Sequence, residues 1–128
     1  SALMTSPAPF SGKCVLVVED ETLIAMEIAA ILEEAGAEVI GPASSIEQAQ
    51  ALLAAGASAP DAALLDINVA GASIDPVILA LKDRGVPYAC MTGYTAGDAA
   101  GLAAGVPVIR KPFPPEQIMA AVTALLER

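Results

Sequence analysis

Five short apolar runs alternate with amphipathic stripes along this chain, and each run breaks off at a turn or a functional group. The runs are residues 14–18, 37–40, 62–65, 87–91 and 106–109. At four or five residues each, they suit strands covered on both faces. After the first run, Ile24, Ile28, Ile31, Leu32 and Ala35 recur at helical steps, and Gly36 is placed to stop that helix. Ser44-Ser45-Ile46-Glu47-Gln48 reads as two overlapping capping boxes for a helix running through Ala55. Residues 74–84 make a third helix with Pro76 in its first turn. Pro114-Pro115-Glu116 opens a last one with the stripe Ile118, Val122, Leu125 and Leu126. Residues 95–105 hold three glycines and few bulky side chains, so the helix expected there is short or mobile. The alternation predicts an α/β fold of (βα)5 type, a doubly wound parallel five-stranded sheet with helices on both faces.

Residues 1–12 are small, proline-containing and aperiodic. They read as a loose arm, with Ser1 to Leu3 ahead of Met4 set aside from fold reasoning. Residues 13–128 read as one domain, which is all that a 128-residue chain has room for. Apolar residues make up 55%, but 28 of them are alanine, which leaves about a third of the chain as bulky apolar side chains for one ordinary core. No apolar run exceeds five residues and no basic leader precedes one, so a soluble, cytoplasmic protein is the expectation.

Charge excludes more than it suggests. Six Lys and Arg against fifteen Asp and Glu give a formal net charge of −9, the wrong sign for neutralising nucleic-acid phosphates. There is no histidine, which removes imidazole bases, His-ligated zinc and histidine triads together. Cys14 and Cys90 lie in apolar runs and read as structural thiols, two being too few for a disulfide framework. Chemistry must therefore rest on carboxylates, hydroxyls, lysine or backbone.

In open parallel sheets, ligands bind at the carboxyl ends of the strands. Those ends carry Glu19 and Asp20 after the first run, Asp66 after the third, Thr92 after the fourth and Lys111 after the fifth. The second run ends in Gly41-Pro42 and offers nothing ionisable. Two unit charges about 5 Å apart repel by roughly 3 kcal/mol at an effective dielectric of 20. Three carboxylates on one edge therefore call for a cation, and an all-oxygen, carboxylate-rich site suits Mg²⁺, with Mn²⁺ the alternative. A lysine and a hydroxyl beside that ion make a place for a phosphoryl group. Singly, each feature has an ordinary explanation: a helix N-cap, a solvated helix start, a surface lysine, a turn. Their convergence at successive strand ends is what makes a site.

Val15-Leu16-Val17-Val18-Glu19-Asp20-Glu21, Leu64-Leu65-Asp66-Ile67-Asn68, Met91-Thr92-Gly93 and Lys111-Pro112-Phe113 together resemble the receiver domain of two-component response regulators, from about Lys13 to Arg128. The resemblance implies a CheY-like strand order of 2-1-3-4-5, which separates the strands of Cys14 and Cys90 and makes a disulfide between them improbable. It implies Asp66 as phospho-acceptor, with Glu19, Asp20, Asp66 and the carbonyl of Asn68 as Mg²⁺ ligands. It further implies Thr92 and Lys111 on the phosphoryl oxygens and a cis Lys111–Pro112 peptide. The implied donor is a phosphohistidine on a histidine kinase or phosphotransferase. The output is a protein target, with no membrane or direct nucleic-acid partner, by a monomer or weak dimer. The expected role is a signalling switch or phosphate relay that catalyses only its own phosphorylation and dephosphorylation, so it is not an enzyme in the usual sense.

Three departures bear on this. Glu19 stands where the family more often has Asp. Val108 occupies the position of a common switch aromatic, whereas Tyr94 follows Met91-Thr92-Gly93, as in the FATGUY subset of single-domain receivers. The fourth helix is glycine-rich. Tyr94 and residues 92–105 are thus the expected switch segment, while Met26 and Ala30 read either as an ordinary semi-exposed apolar pair or as a kinase-docking patch. With no effector segment after the last helix, a stand-alone receiver is the first expectation and a module of a larger regulator the second. Other readings are a phosphorylation-independent scaffold and a Mg²⁺-dependent phosphatase of the dehalogenase type. The phosphatase wants an acid/base Asp two positions after its nucleophile, where Asn68 stands.

Overall fold

The computed structural model of the chain describes residues 8–56, 58–93 and 106–127. Its elements run β1 (Cys14–Val18), α1 (Thr22–Glu34), β2 (Glu38–Ala43), α2 (Ile46–Ala55), β3 (Ala62–Asp66), β4 (Asn68–Val69), β5 (Ala72–Ser73), α3 (Asp75–Asp83), β6 (Tyr88–Thr92), β7 (Val108–Arg110) and α4 (Pro115–Leu126). Five strands form one sheet of order β2-β1-β3-β6-β7, and every pairing in it is parallel. With four helices over its two faces among the described residues, this is the doubly wound sheet that the alternation predicts, in the CheY-like order that the resemblance implies. The helix expected over residues 95–105, and Tyr94, lie outside the described residues.

Alternation within the strands splits the core in two. Leu16, Val18, Ala63, Leu65 and Cys90 face α2 and α3, where Ile46, Leu53, Val77, Ile78 and Leu81 cover them. Val15, Val17, Leu64, Ala89 and Met91 face α1 and α4, and meet Ile28, Leu32, Ile118, Val122 and Leu125. β3 and β6 are buried along their whole length, as middle strands with both faces covered must be.

Local chemistry sets the helix ends. Gly36, at φ +98°, closes α1 in a Schellman turn, with Ala37 N–H on the Leu32 carbonyl and Gly36 N–H on that of Glu33. Ser45 caps α2 by accepting from the Gln48 amide at 3.1 Å. The Gln48 side chain reaches back to the amide and hydroxyl of Ser44, at 2.8 and 3.0 Å, so the two predicted boxes merge into one shared cap. Cys14 and Cys90 are free thiols on strands separated by β3, and burial with nearby Asp66 pushes the Cys90 thiol up to about 11.

Three features depart from expectation. The arm is seated rather than loose from Ala8 on: Phe10 is 2% exposed in the α1–α4 core, and its amide donates to the Ala35 carbonyl at 2.8 Å. A single aromatic among small residues has no period to reveal it. Gly41-Pro42 does not close β2, which continues to Ala43 through a bulge: Leu16 pairs with Ile40, but Val18 pairs with Ala43. Between Asp66 and α3 the chain makes a small antiparallel hairpin, β4–β5, with Ala70 and Gly71 at φ +51° and +82°. Ala-Gly lacks the Asn-Gly or Asp-Gly signal such a turn usually carries.

The β2 bulge bears on function, because it delivers the Ala43 carbonyl to the Glu19 amide at 2.9 Å. At Gly41, φ +94°, an added Cβ would lie 2.5 Å from Ala43 N and 3.0 Å from the Val17 carbonyl oxygen. Gly41→Ala is therefore expected to cost at least twice what Gly85→Ala costs in urea unfolding. Gly85 shares the left-handed backbone at φ +69° but has nothing within 4 Å, so its penalty is about 1 kcal/mol. Equal losses would contradict a steric role for the bulge.

Candidate phosphoryl and metal site

Each site residue follows a strand whose neighbours fix its height. Glu19 follows β1, Asp66 ends β3, Thr92 ends β6, and Lys111 follows β7. Backbone ties continue the sheet past its edge: Ile67 N–H donates to the Met91 carbonyl at 3.0 Å, and Lys111 N–H to that of Thr92 at 2.8 Å. Glu19, Asp66 and Thr92 are therefore carried by buried strands, and Lys111 by the edge strand β7.

Their side chains meet around one ammonium. Lys111 Nζ lies 2.7 Å from Glu19 Oε1, 3.1 Å from Asp66 Oδ2 and 3.4 Å from Glu21 Oε1. Glu19 and Asp66 are buried, at 1% and 7% exposure, whereas Asp20 is half-buried and Glu21 exposed. Backbone amides hold the remaining carboxylate oxygens. Glu19 Oε2 accepts from Glu21 at 3.0 Å, Asp66 Oδ1 from Asn68 at 3.3 Å, and Asp20 Oδ2 from Ala70 at 2.9 Å. The Lys111–Pro112 peptide is cis, as the resemblance implies, and so is Gly41–Pro42.

Electrostatics follow from burial. Desolvation pushes the Glu19 and Asp66 carboxyls up, and the Lys111 ammonium pulls both back without overcoming it. At Lys111 burial works downward, but Glu19 and Asp66 outweigh it and hold the ammonium above its ordinary range. At Asp20 burial is outweighed by the Ala70 amide and by hydrogen bonds with Asp66 and Glu19, which keep its carboxyl low.

The donor set fits a divalent cation. Glu19, Asp20 and Asp66 each offer an oxygen, all within 4.8 Å of one another. Glu19 Oε1 is buried and lies 2.7 Å from the Lys111 ammonium. Charged, hard oxygens gathered this closely are what Mg²⁺ or Mn²⁺ takes.

Of the residues singled out from sequence, Glu19, Asp20, Asp66 and Lys111 converge, and Asn68 joins them through its amide. Thr92 is buried at the same edge, but its hydroxyl donates to the neighbouring Gly93 carbonyl at 3.3 Å. Two participants were not foreseen. Glu21 was visible as the third acid of its run, but nothing in Ala70 announces an amide that reaches Asp20 from fifty residues away.

With this geometry in place, comparison with known proteins gives the class. The response regulator receiver domain family matches residues 15–123, and the chain belongs to it. The transcriptional regulatory protein PrrA of Mycobacterium tuberculosis is 35% identical over 119 residues, which is 89% of this chain and 50% of PrrA. The phyllosphere-induced regulator PhyR of Methylorubrum extorquens is 34% identical over 115 residues, 88% of this chain and 43% of PhyR. The chain thus spans about half the length of these curated relatives. Among solved structures, SdrG from Sphingomonas melonis superposes with a TM-score of 0.78 at 34% identity, covering 89% of this chain and 96% of SdrG. The response regulator PhyR from Brucella abortus gives 0.77 at 29%, covering 94% of this chain and 50% of PhyR.

Removing the ammonium leaves buried carboxylates without their counter-charge. Lys111→Met is expected to lower unfolding free energy in EDTA by about 3 kcal/mol, with millimolar Mg²⁺ restoring more stability to the variant than to the wild type. Urea unfolding with and without MgCl₂ measures both. Unchanged stability in EDTA would mean that the ion pair balances nothing.

Proposed function

We propose that this receiver domain accepts a phosphoryl group on Asp66 from a phosphohistidine of a histidine kinase or histidine phosphotransferase, and works as a phosphorylation switch or relay. One observation carries the reading: a buried aspartate at the end of the central strand, with an ammonium 3.1 Å away and two further carboxylates around it. In the transfer, a P–N bond to the donor imidazole breaks and a P–O bond to Asp66 forms. These 128 residues hold no histidine, so that imidazole lies outside them. Little covalent chemistry is asked of the acceptor, so positioning and charge balance supply most of the rate.

The residues divide the work. Asp66 is held with Oδ1 on the Asn68 amide and Oδ2 on Lys111, so its attacking oxygens have a fixed direction. Lys111 offsets charge on the arriving phosphoryl oxygens, and Thr92 turns its hydroxyl from Gly93 towards them, drawing its loop inward. Glu19, Asp20, Asp66 and the Asn68 carbonyl would hold Mg²⁺ or Mn²⁺, which when bound neutralises phosphoryl charge. Tyr94 and residues 95–105 are the proposed responding segment. Leu23 and Met26, 82% and 62% exposed on α1 beside the site, with exposed Ala30, supply an apolar face for the donor protein.

The output in this reading is a protein contact made in the cytoplasm by a monomer or weak dimer, and the −9 charge argues against direct nucleic-acid binding. No helix among the described residues is long and apolar enough to cross a membrane. We read the domain as a signalling module that turns over only its own phosphate. A dehalogenase-type phosphatase is disfavoured because Asn68 stands where its acid/base Asp belongs. A phosphorylation-independent scaffold would not need the full acid, hydroxyl and lysine set.

Incubation with acetyl phosphate and Mg²⁺ is expected to add the mass of one phosphate to the wild-type protein, and none to Asp66→Asn or in EDTA. Equal labelling of Asp66→Asn would remove Asp66 from the role. Labelling absent from the wild type would favour the scaffold.

A further inference from the structure

The shortest contact in the site joins Lys111 to Glu19, not to the acceptor. Lys111 Nζ is 2.7 Å from Glu19 Oε1 against 3.1 Å from Asp66 Oδ2. Glu19 is also the better anchored of the two. Its side chain is 0% exposed against 9% for Asp66, and its second oxygen is fixed by the Glu21 amide at 3.0 Å. The reach depends on length. An aspartate here would carry its carboxylate one C–C bond closer to the backbone, about 1.5 Å, enough to part it from the ammonium while leaving its charge at the cluster.

We propose that Glu19 is a positioning residue that holds Lys111 in the resting state, so that a phosphoryl group on Asp66 has to take the ammonium from Glu19. The competition rests on the phosphoryl-acceptor reading above, whereas the pairing itself does not. Lys111 Nζ reaches a phosphoryl oxygen only by loosening one of its present contacts, and Asp66, once esterified, has less negative charge to offer it. Glu19 is then the remaining buried anion contending for the same ammonium. Glu21, exposed and 3.4 Å away, is a weak substitute. Residue 19 thereby sets how readily the phosphorylated state forms, because both its charge and its chain length hold the ammonium.

The test reads the ammonium directly. The chain has three lysines, and Lys13 and Lys82 are exposed, so in isotope-labelled lysine spectra without metal Lys111 is expected to give one ammonium signal shielded from water exchange. In Glu19→Asp its exchange should quicken at least threefold while Lys13 and Lys82 stay as they were. Glu19→Gln, of unchanged length, serves if the Asp variant does not fold and should show the same direction. Beryllofluoride with saturating Mg²⁺ then probes the competition: its half-saturating concentration should fall at least threefold in Glu19→Asp. Lys111 exchange within twofold of wild type in the folded variant overturns the pairing. Faster exchange with an unchanged or higher beryllofluoride requirement overturns the competition. A wild-type chain that keeps Lys111 shielded yet ignores beryllofluoride overturns the acceptor reading and the competition with it, and leaves the pairing supported.

Discussion

Lys111 stands at the one point where the ends of β1, β3 and β7 meet, and two buried carboxylates lean on its single ammonium. Opposite unit charges about 3 Å apart attract by roughly 5 kcal/mol at an effective dielectric of 20, before the cost of removing them from water. That cost is what pushes Glu19 and Asp66 up even with the ammonium present. The site is thus left short of positive charge by construction. A protein that placed these groups here only for stability would do better with apolar side chains of similar size. The shortfall makes chemical sense if a cation and a phosphoryl group come and go.

The scaffold supplies what such a site needs, which is rigidity beneath it. β3 and β6 are buried throughout, and their pairing continues beyond the strands through Ile67 on Met91 and Lys111 on Thr92. The β2 bulge adds the Ala43 carbonyl under Glu19, and the β4–β5 hairpin brings the Ala70 amide to Asp20. Glu19 and Asp66 therefore each have one oxygen held by backbone and one turned to the ammonium, while Asp20 is held by the Ala70 amide. Family membership agrees with this division of labour, since relatives of differing total length share the scaffold over nearly the whole of this chain.

The parts legible from sequence are those with a period or a fixed offset. Short apolar runs placed the five strands of the main sheet, with the largest boundary error at the end of β2, which runs to Ala43 rather than Ile40, and the groups that follow them, Glu19, Asp20, Asp66, Thr92 and Lys111, were readable because a strand end dictates position. Gly36 was readable because a Schellman turn needs its backbone. What escaped depends on contacts distant in sequence. Phe10 is buried by partners on α1 and α4 that no local pattern names, and the bulge at Gly41-Pro42 resembles an ordinary strand stop. The Ala70-Gly71 turn has a weak local signal, so its hold on Asp20 was invisible. The closer attachment of Lys111 to Glu19 than to Asp66 turns on a few tenths of an ångström, which composition cannot convey.

Composition also gains a sharper meaning. Within a net charge of −9, three acids are gathered at one sheet edge with a lysine among them, and the absence of histidine from these 128 residues puts the phosphoryl-donating imidazole outside them. The central claim is that Asp66 carries the phosphoryl group as an acyl phosphate. Borohydride reduction after treatment with a phosphodonor and Mg²⁺, followed by peptide mass mapping, reads this directly, because an aspartyl phosphate is converted to homoserine. The account predicts homoserine at position 66 and nowhere else. Homoserine at another aspartate, or phosphate retained on a hydroxyl side chain with Asp66 intact, would contradict it.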